Sequence, residues 1–193
     1  MNIFLDLDGT VCDFVGSLLR MVEKEELAHK IDFYHFENDN NSEVLTEDEF
    51  FQAWDKFTAL QGFVGIKWMP GAYRGIKELI AMGYKVHFIT DRRVQDRDQT
   101  RRWKVLNGFG DIPLIFSMGD KLRILKVRDV DVFVEDKVEI IKEAKELGIN
   151  VVRFQQRWNR ELKFSPTFRE YIPFAKNWND LVLWIKAQEV FNG

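Results

Sequence analysis

Short runs of β-branched and aromatic residues alternate with stretches of helical spacing through most of this 193-residue chain, and that alternation constrains the fold more than any other feature. Ile3-Phe4-Leu5 opens the series, and residues 85–89, 130–134 and 150–154 continue it, each bounded by Gly, Asp or Asn. Pro113-Leu114-Ile115-Phe116 is a weaker fifth strand, because a proline opens it. Between these runs, apolar spacing predicts helices over 72–82, 98–106, 120–127 and 138–147, with stops at Gly83, Asn107-Gly108 and Gly148. A last helix is predicted over 177–190, where Leu181, Trp184 and Ile185 share a face. Strand and helix in alternation predict a parallel sheet with right-handed crossovers, a doubly wound α/β domain.

Residues 14–68 break that rhythm. They are acidic and rich in aromatics, with helical spacing over 15–26 and 47–60 and a loop signal at Asp39-Asn40-Asn41-Ser42. They read as a helical insertion, so the core is expected to comprise 1–13 and 69–193, with 14–68 as a small helical cap. Charge is unevenly spread along the chain: the first 60 residues hold 14 acids and 4 bases, the remainder 17 acids and 24 bases. A divided surface and ordinary solvated helix faces explain that split equally well. The net charge of −3 argues against stable binding of nucleic acid, which needs several cations along its backbone.

With 46% hydrophobic and 31% charged residues, the chain has the means to bury a core and is not expected to be disordered. It has neither an apolar run long enough to span a bilayer nor a basic, then apolar, leader, so no membrane partner is expected. The single cysteine, Cys12, excludes an internal disulfide framework and a multi-cysteine zinc site. These features predict a cytoplasmic location.

The chemistry gathers at strand ends. The first strand runs into Asp6-Leu7-Asp8-Gly9-Thr10, two carboxylates where open α/β sheets hold their ligands. Carboxylates are hard oxygen donors, and a pair of them there suits Mg²⁺. The second strand ends in Ile89-Thr90, Lys121 begins a helix, and the fourth strand ends in Glu135-Asp136. Singly, each has a plain structural reading: a turn cap, a β-branched strand residue, an exposed lysine, a helix cap. Together, a nucleophilic carboxylate, a second acid, a hydroxyl, a lysine and a metal-binding acid make up a phosphoryl-transfer site.

Asp6-Leu7-Asp8-Gly9-Thr10, Phe88-Ile89-Thr90, Lys121 and Val134-Glu135-Asp136 resemble, in order, the four motifs of the haloacid dehalogenase-like (HAD) superfamily. The resemblance implies a Rossmann-like HAD core and an Mg²⁺-dependent phosphatase. Asp6 would be the nucleophile that forms an aspartyl-phosphate. Asp8 would protonate the leaving oxygen and later activate water, and its backbone carbonyl would join Asp6 and Asp136 around Mg²⁺. Thr90, the adjoining Asp91 and Lys121 would hold the phosphate. Glu135 departs from the Asp-Asp pair common in the superfamily.

Several weaker features are similar to the 5′(3′)-deoxyribonucleotidase branch: the size of the insertion, Met69-Pro70-Gly71-Ala72, Thr90-Asp91-Arg92-Arg93, Gln156-Arg157-Trp158-Asn159 and Asn177-Trp178-Asn179-Asp180. That resemblance implies a nucleoside monophosphate, most simply a deoxynucleotide, as substrate, and it allows a homodimer. The insertion's aromatics (Phe14, Phe36, Phe50, Phe51, Trp54, Phe57, Phe63, Trp68) offer stacking faces, most of them destined for the core, with Phe14 the preferred pocket residue. Of Arg92, Arg93, Arg97, Arg101 and Arg102, Arg92 is the expected substrate contact, and the tail tryptophans are expected to be packing anchors. The rival readings are a phosphatase for another small phosphoester or for a polynucleotide 3′-phosphate, and a catalytically silent HAD-like binding protein.

Overall fold

The first strand, β1 (Asn2–Asp6), is buried from Ile3 onward and occupies the centre of the sheet. In the computed structural model, which describes residues 1–24, 45–160 and 172–192, β1 pairs in parallel with β2 (Lys85–Thr90) on one side and β4 (Val132–Glu135) on the other. The outer strands are β3 (Leu114–Phe116), β5 (Val151–Phe154) and β6 (Phe174–Ala175), giving the all-parallel order β3-β2-β1-β4-β5-β6. The order reverses between β1 and β4, so a crevice opens at the carboxyl ends of these strands. Register brings the ends level, because Leu5 lies beside both Phe88 and Val134.

Each central strand is apolar on both faces, as a strand covered from both sides must be. Ile3, Leu5, Val86, Phe88, Val132 and Val134 point into one core, while Phe4, Ile89 and Phe133 point into the other. The first core is completed by α3 (Ala72–Ala81), α4 (Arg97–Leu106) and α7 (Trp178–Asn192), through residues such as Ile76, Trp103 and Leu181. The second is covered by α5 (Lys121–Lys126) and α6 (Val138–Glu146), through Leu122, Leu125, Ile141 and Ala144. Gly75 on α3 lets α7 approach, since a Cβ there would lie 2.5 Å from the Trp178 ring.

Among the described residues, two α-helices lie between β1 and α3, outside the alternation. In α1 (Phe14–Met21), Asp13 caps the first turn by accepting from the Gly16 amide at 3.0 Å. In α2 (Glu47–Ala59), Thr46 and Glu49 form a reciprocal capping box. The two helices meet through aromatics, with the Phe14 ring 4.9 Å from Trp54 and 5.7 Å from Phe57. The first helical stretch is shorter than its spacing predicted, closing at Met21 before Glu23 turns to φ +57°. The loop signal at 39–42 and Phe36 lie outside the described residues.

The short strand β6 had no signal in the sequence, for two residues cannot display a period of two. It is placed by its partner, as the Arg153 amide donates to the Pro173 carbonyl and the Gln155 amide to that of Ala175.

Candidate active site

The β1 carboxyl end turns sharply through Leu7–Cys12, where the Val11 and Cys12 amides donate to the Leu7 carbonyl. Gly9 holds φ +85° in this turn, and a Cβ there would lie 2.1 Å from Asp136 Oδ2. Only glycine therefore lets the loop after β1 approach the loop after β4. That approach brings Asp6, Glu135 and Asp136 together, all buried, with one carboxylate oxygen of each within 4.8 Å of the others.

Lys121, buried at the start of α5, donates to Asp6 Oδ1 at 2.7 Å and to Glu135 Oε2 at 2.8 Å. Three carboxylates face one ammonium, so the cluster carries two uncompensated negative charges when all are ionised. Burial opposes the charge on Lys121, yet Asp6, Glu135 and Asp91 hold its pKa well above the ordinary lysine value. Burial also pushes Asp6 well above the usual carboxylate range, with Lys121 pulling it back and Glu135 and Asp8 raising it again. Asp136 is raised in the same way, by burial first and then by Glu135. Burial is the larger cause for the two carboxylates, but the carboxylates also raise one another and the lysine, a surplus of negative charge that a cation would relieve.

The donor set fits a hard divalent ion. Glu135 is the least available of the three, because Oε2 accepts from Lys121 and Oε1 accepts from the Asp136 and Lys137 amides, each at 3.0 Å. Asp6 and Asp136 are left as the side chains suited to the ion. Asp136 is itself held: Trp158 Nε1 donates to its Oδ2 at 3.0 Å, and Asn159 Nδ2 donates to its carbonyl at 2.7 Å. A short turn, Arg157–Asn159, carries both residues. The sequence gives the tail tryptophans the look of packing anchors. Trp178 is one, with Nε1 on the Thr10 carbonyl, whereas Trp158 orients a carboxylate of the cluster.

Thr90 ends β2, buried, with Oγ1 accepting from the Arg92 amide at 3.2 Å. Asp91 lies 3.6 Å from Lys121 and accepts from Ser117 Oγ at 2.6 Å and the Gly119 amide at 2.8 Å. Burial would raise the Asp91 pKa, but Lys121 and those two hydrogen bonds hold it below the usual value. Asp8 pairs with Arg92 through two hydrogen bonds, Nε to Oδ2 at 2.8 Å and Nη2 to Oδ1 at 2.7 Å. Cys12 lies buried behind this pair, its thiol pushed up to about 12 by burial, which leaves it inert.

A cavity of about 320 Å³ is lined by Asp6, Asp8, Thr90, Asp91, Arg92, Lys121 and Glu135. Lys137, which the sequence reading passed over, also lines it, being the first residue after Glu135-Asp136. The same cavity is also lined by aromatics, Phe14 from α1 and Phe50, Phe51 and Trp54 from α2. Phe57 and Phe63 instead pack behind Phe14, and Trp68 packs against Trp103 with ring centroids 4.6 Å apart and planes inclined by 39°. Of the arginine run, only Arg92 reaches the cavity. Arg93 turns to Asp55 and Asp96, and Arg97 and Arg101 lie over Phe116.

No family model matches the chain. A curated protein of Oceanobacillus iheyensis named "putative nucleotidase" is 23% identical over 186 residues, covering 92% of this chain and 98% of the relative. A haloacid dehalogenase-like hydrolase of Streptococcus pneumoniae superposes with a TM-score of 0.63 at 15% identity, over 95% of this chain and 97% of its own. A HAD-family hydrolase of Deinococcus radiodurans, solved with bound phosphate and sodium, superposes with a TM-score of 0.59 at 13% identity, over 97% and 96%. Sheet order, the acidic cluster at the strand ends and these superpositions agree: the chain has the fold of the haloacid dehalogenase-like hydrolases and is similar along its length to a bacterial protein named a nucleotidase.

Proposed function

We propose that this chain is an Mg²⁺-dependent phosphatase that hydrolyses a nucleoside monophosphate through an aspartyl-phosphate on Asp6. One observation carries the reading: Asp6, hydrogen-bonded to Lys121 at 2.7 Å and clustered with Asp136, lines a cavity that Phe14, Phe50, Phe51 and Trp54 also line. The polar side chains suit a phosphate and the aromatic ones suit a base. A volume of about 320 Å³ matches one nucleotide better than a strand.

In this reading an Asp6 oxygen attacks phosphorus as the bond to the leaving oxygen breaks, and Asp8 supplies the proton that oxygen needs. Water then attacks the phosphoryl group, returning a proton to Asp8 and freeing Asp6 and phosphate. Lys121 and Thr90 hold the phosphate oxygens throughout. Asp6, Asp136 and the Asp8 carbonyl would hold Mg²⁺, which when bound neutralises phosphate charge and lets an anionic nucleophile approach. The helices α1 and α2, within the 14–68 insertion, act as a small cap that supplies the stacking aromatics.

The test is phosphate release from 5′- and 3′-nucleoside and deoxynucleoside monophosphates, sugar phosphates and a 3′-phosphorylated oligonucleotide, with Mg²⁺ and with chelator, beside Asp6→Asn. Turnover of nucleoside monophosphates that needs Mg²⁺ and vanishes in Asp6→Asn is expected. Turnover confined to sugar phosphates or to the oligonucleotide would overturn the substrate class. Activity that survives Asp6→Asn would overturn the mechanism.

A further inference from the structure

Arg92 is held from every side. Its guanidinium sits 4.4 Å over the Phe63 ring, and Nη1 donates to Thr100 Oγ1 at 3.1 Å. Thr100 is fixed in turn, its hydroxyl donating to the Asp96 carbonyl at 2.8 Å. The Arg92 amide folds back onto Thr90 Oγ1, which returns the side chain to the β1 edge. With all its side-chain surface buried, the guanidinium presents Nε and Nη2 to both oxygens of Asp8. A two-point fork fixes the direction of a carboxylate as well as its place. Asp8, 16% exposed, is the member of the pair that faces the cavity more openly.

We propose that Arg92 is the positioning residue of Asp8, aiming the carboxylate that exchanges a proton with the leaving oxygen, and is not a binding group for the substrate's phosphate. The inference rests on the role given to Asp8 above. As the phosphorus–oxygen bond breaks, the proton passes from Asp8 to the leaving oxygen, and the carboxylate so formed is received by the guanidinium. The reverse transfer, from attacking water to Asp8, completes the cycle without a net change at Arg92. A lysine keeps the charge but has no planar fork, so Arg92→Lys should preserve the charge balance and lose the aim.

Leaving-group dependence separates this role from phosphate binding. A p-nitrophenolate leaves with little help from an acid, whereas an alkoxide needs its proton. For Arg92→Lys, kcat/KM on an alkyl phosphate, taken as the best-turned-over monoester of the panel, should fall on the order of 100-fold. On p-nitrophenyl phosphate it should fall less than about tenfold. In an Asp8→Asn background, Arg92→Lys should add little to the loss already present on the alkyl ester. Equal losses on both esters with a raised KM, or a full further loss in the Asp8→Asn background, would overturn the proposal in favour of phosphate binding. If Arg92→Lys does not fold, Thr100→Val removes one anchor of the guanidinium, and a several-fold loss confined to the alkyl ester is expected. Thr100→Val with equal effects on the two esters, or with none, would count against the proposal. The alkyl probe is whichever monoester the wild type turns over, so failure of the nucleotide reading leaves this test intact.

Discussion

Asp96 is a fully buried carboxylate, and its partners make α2 the element that depends on it. Oδ1 accepts from Thr58 Oγ1 at 2.7 Å, and Oδ2 accepts from Trp54 Nε1 at 3.2 Å and Arg93 Nε at 3.3 Å. Asp96→Asn keeps the shape but offers one acceptor oxygen. If that oxygen keeps Thr58, the new amide faces two donors, Trp54 Nε1 and Arg93 Nε. Arg93 is 26% exposed at its side chain and retains Asp55 and Thr58, so its loss counts for little. Trp54 Nε1 is left without its acceptor, which costs about 1–2 kcal/mol, and donor facing donor adds roughly 0.5–1 kcal/mol. The expected destabilisation is about 2 kcal/mol, or a fall in Tm of roughly 4–8 °C for a chain of this length.

Thermal and urea unfolding of metal-free wild type and Asp96→Asn measure this directly, and a cycle with Thr58→Val tests the coupling. The Asp96 carbonyl, which anchors Thr100, is unchanged by the substitution, so turnover of p-nitrophenyl phosphate should stay within about twofold when compared well below Tm. Phe50, Phe51 and Trp54 ride on α2, so KM for the larger nucleotide should rise several-fold. A Tm within about 1 °C of wild type would refute the reasoning, because it would mean that Trp54 gains nothing from this carboxylate.

Lys121→Met should lower stability by about 3–5 kcal/mol, as removing one partner of a buried pair does, and added Mg²⁺ should restore part of the Tm but none of the turnover. Mg²⁺ should raise the wild-type Tm more at pH 8 than at pH 5.5, read by scanning fluorimetry. Asp6 and Asp136 are raised in the folded state, so the metal-free fold binds more protons than the unfolded chain and loses stability as pH rises above the usual carboxylate range. A bound cation removes that penalty where it is largest. Phe51→Ala, at a residue 44% exposed that lines the cavity, should leave Tm nearly unchanged and raise nucleotide KM by about five- to tenfold through lost stacking, measured by steady-state kinetics. Gly9→Ala should weaken Mg²⁺ binding in titration calorimetry, because its Cβ needs a positive φ and displaces Asp136.

The architecture was legible wherever a segment's own pattern decides its state. A run such as Ile3-Phe4-Leu5 is apolar on both faces because both faces are covered, and its closing carboxylates mark the crevice of a parallel sheet. Pattern alone separates β4 from α6 at Glu135-Asp136 but treats the two acids alike, and only the family resemblance gives Asp136 to the metal. They differ because the chain turns after β4, giving Glu135 the following amides and Lys121, while Asp136 passes to Trp158 and the Gly9 turn. None of that is periodic, and none is local enough to read from composition.

The arginine run poses the same problem in sharper form. Arg92, Arg93, Arg97 and Arg101 are chemically identical and lie within ten positions of one another, yet one is buried against Asp8, one ties down α2 and two cover Phe116. Arg92 meets an acid 84 positions away because Thr90 turns its backbone, Phe63 floors its guanidinium and Thr100 holds its far nitrogen. Each of those three comes from a different element, so the pairing exists only once the helices between β1 and β2 have docked against α4. Where the charged groups of a site are neutralised is thus decided by tertiary packing. A sequence can nominate the ionisable residues at strand ends, but which of them face substrate and which serve one another follows from the packing behind them.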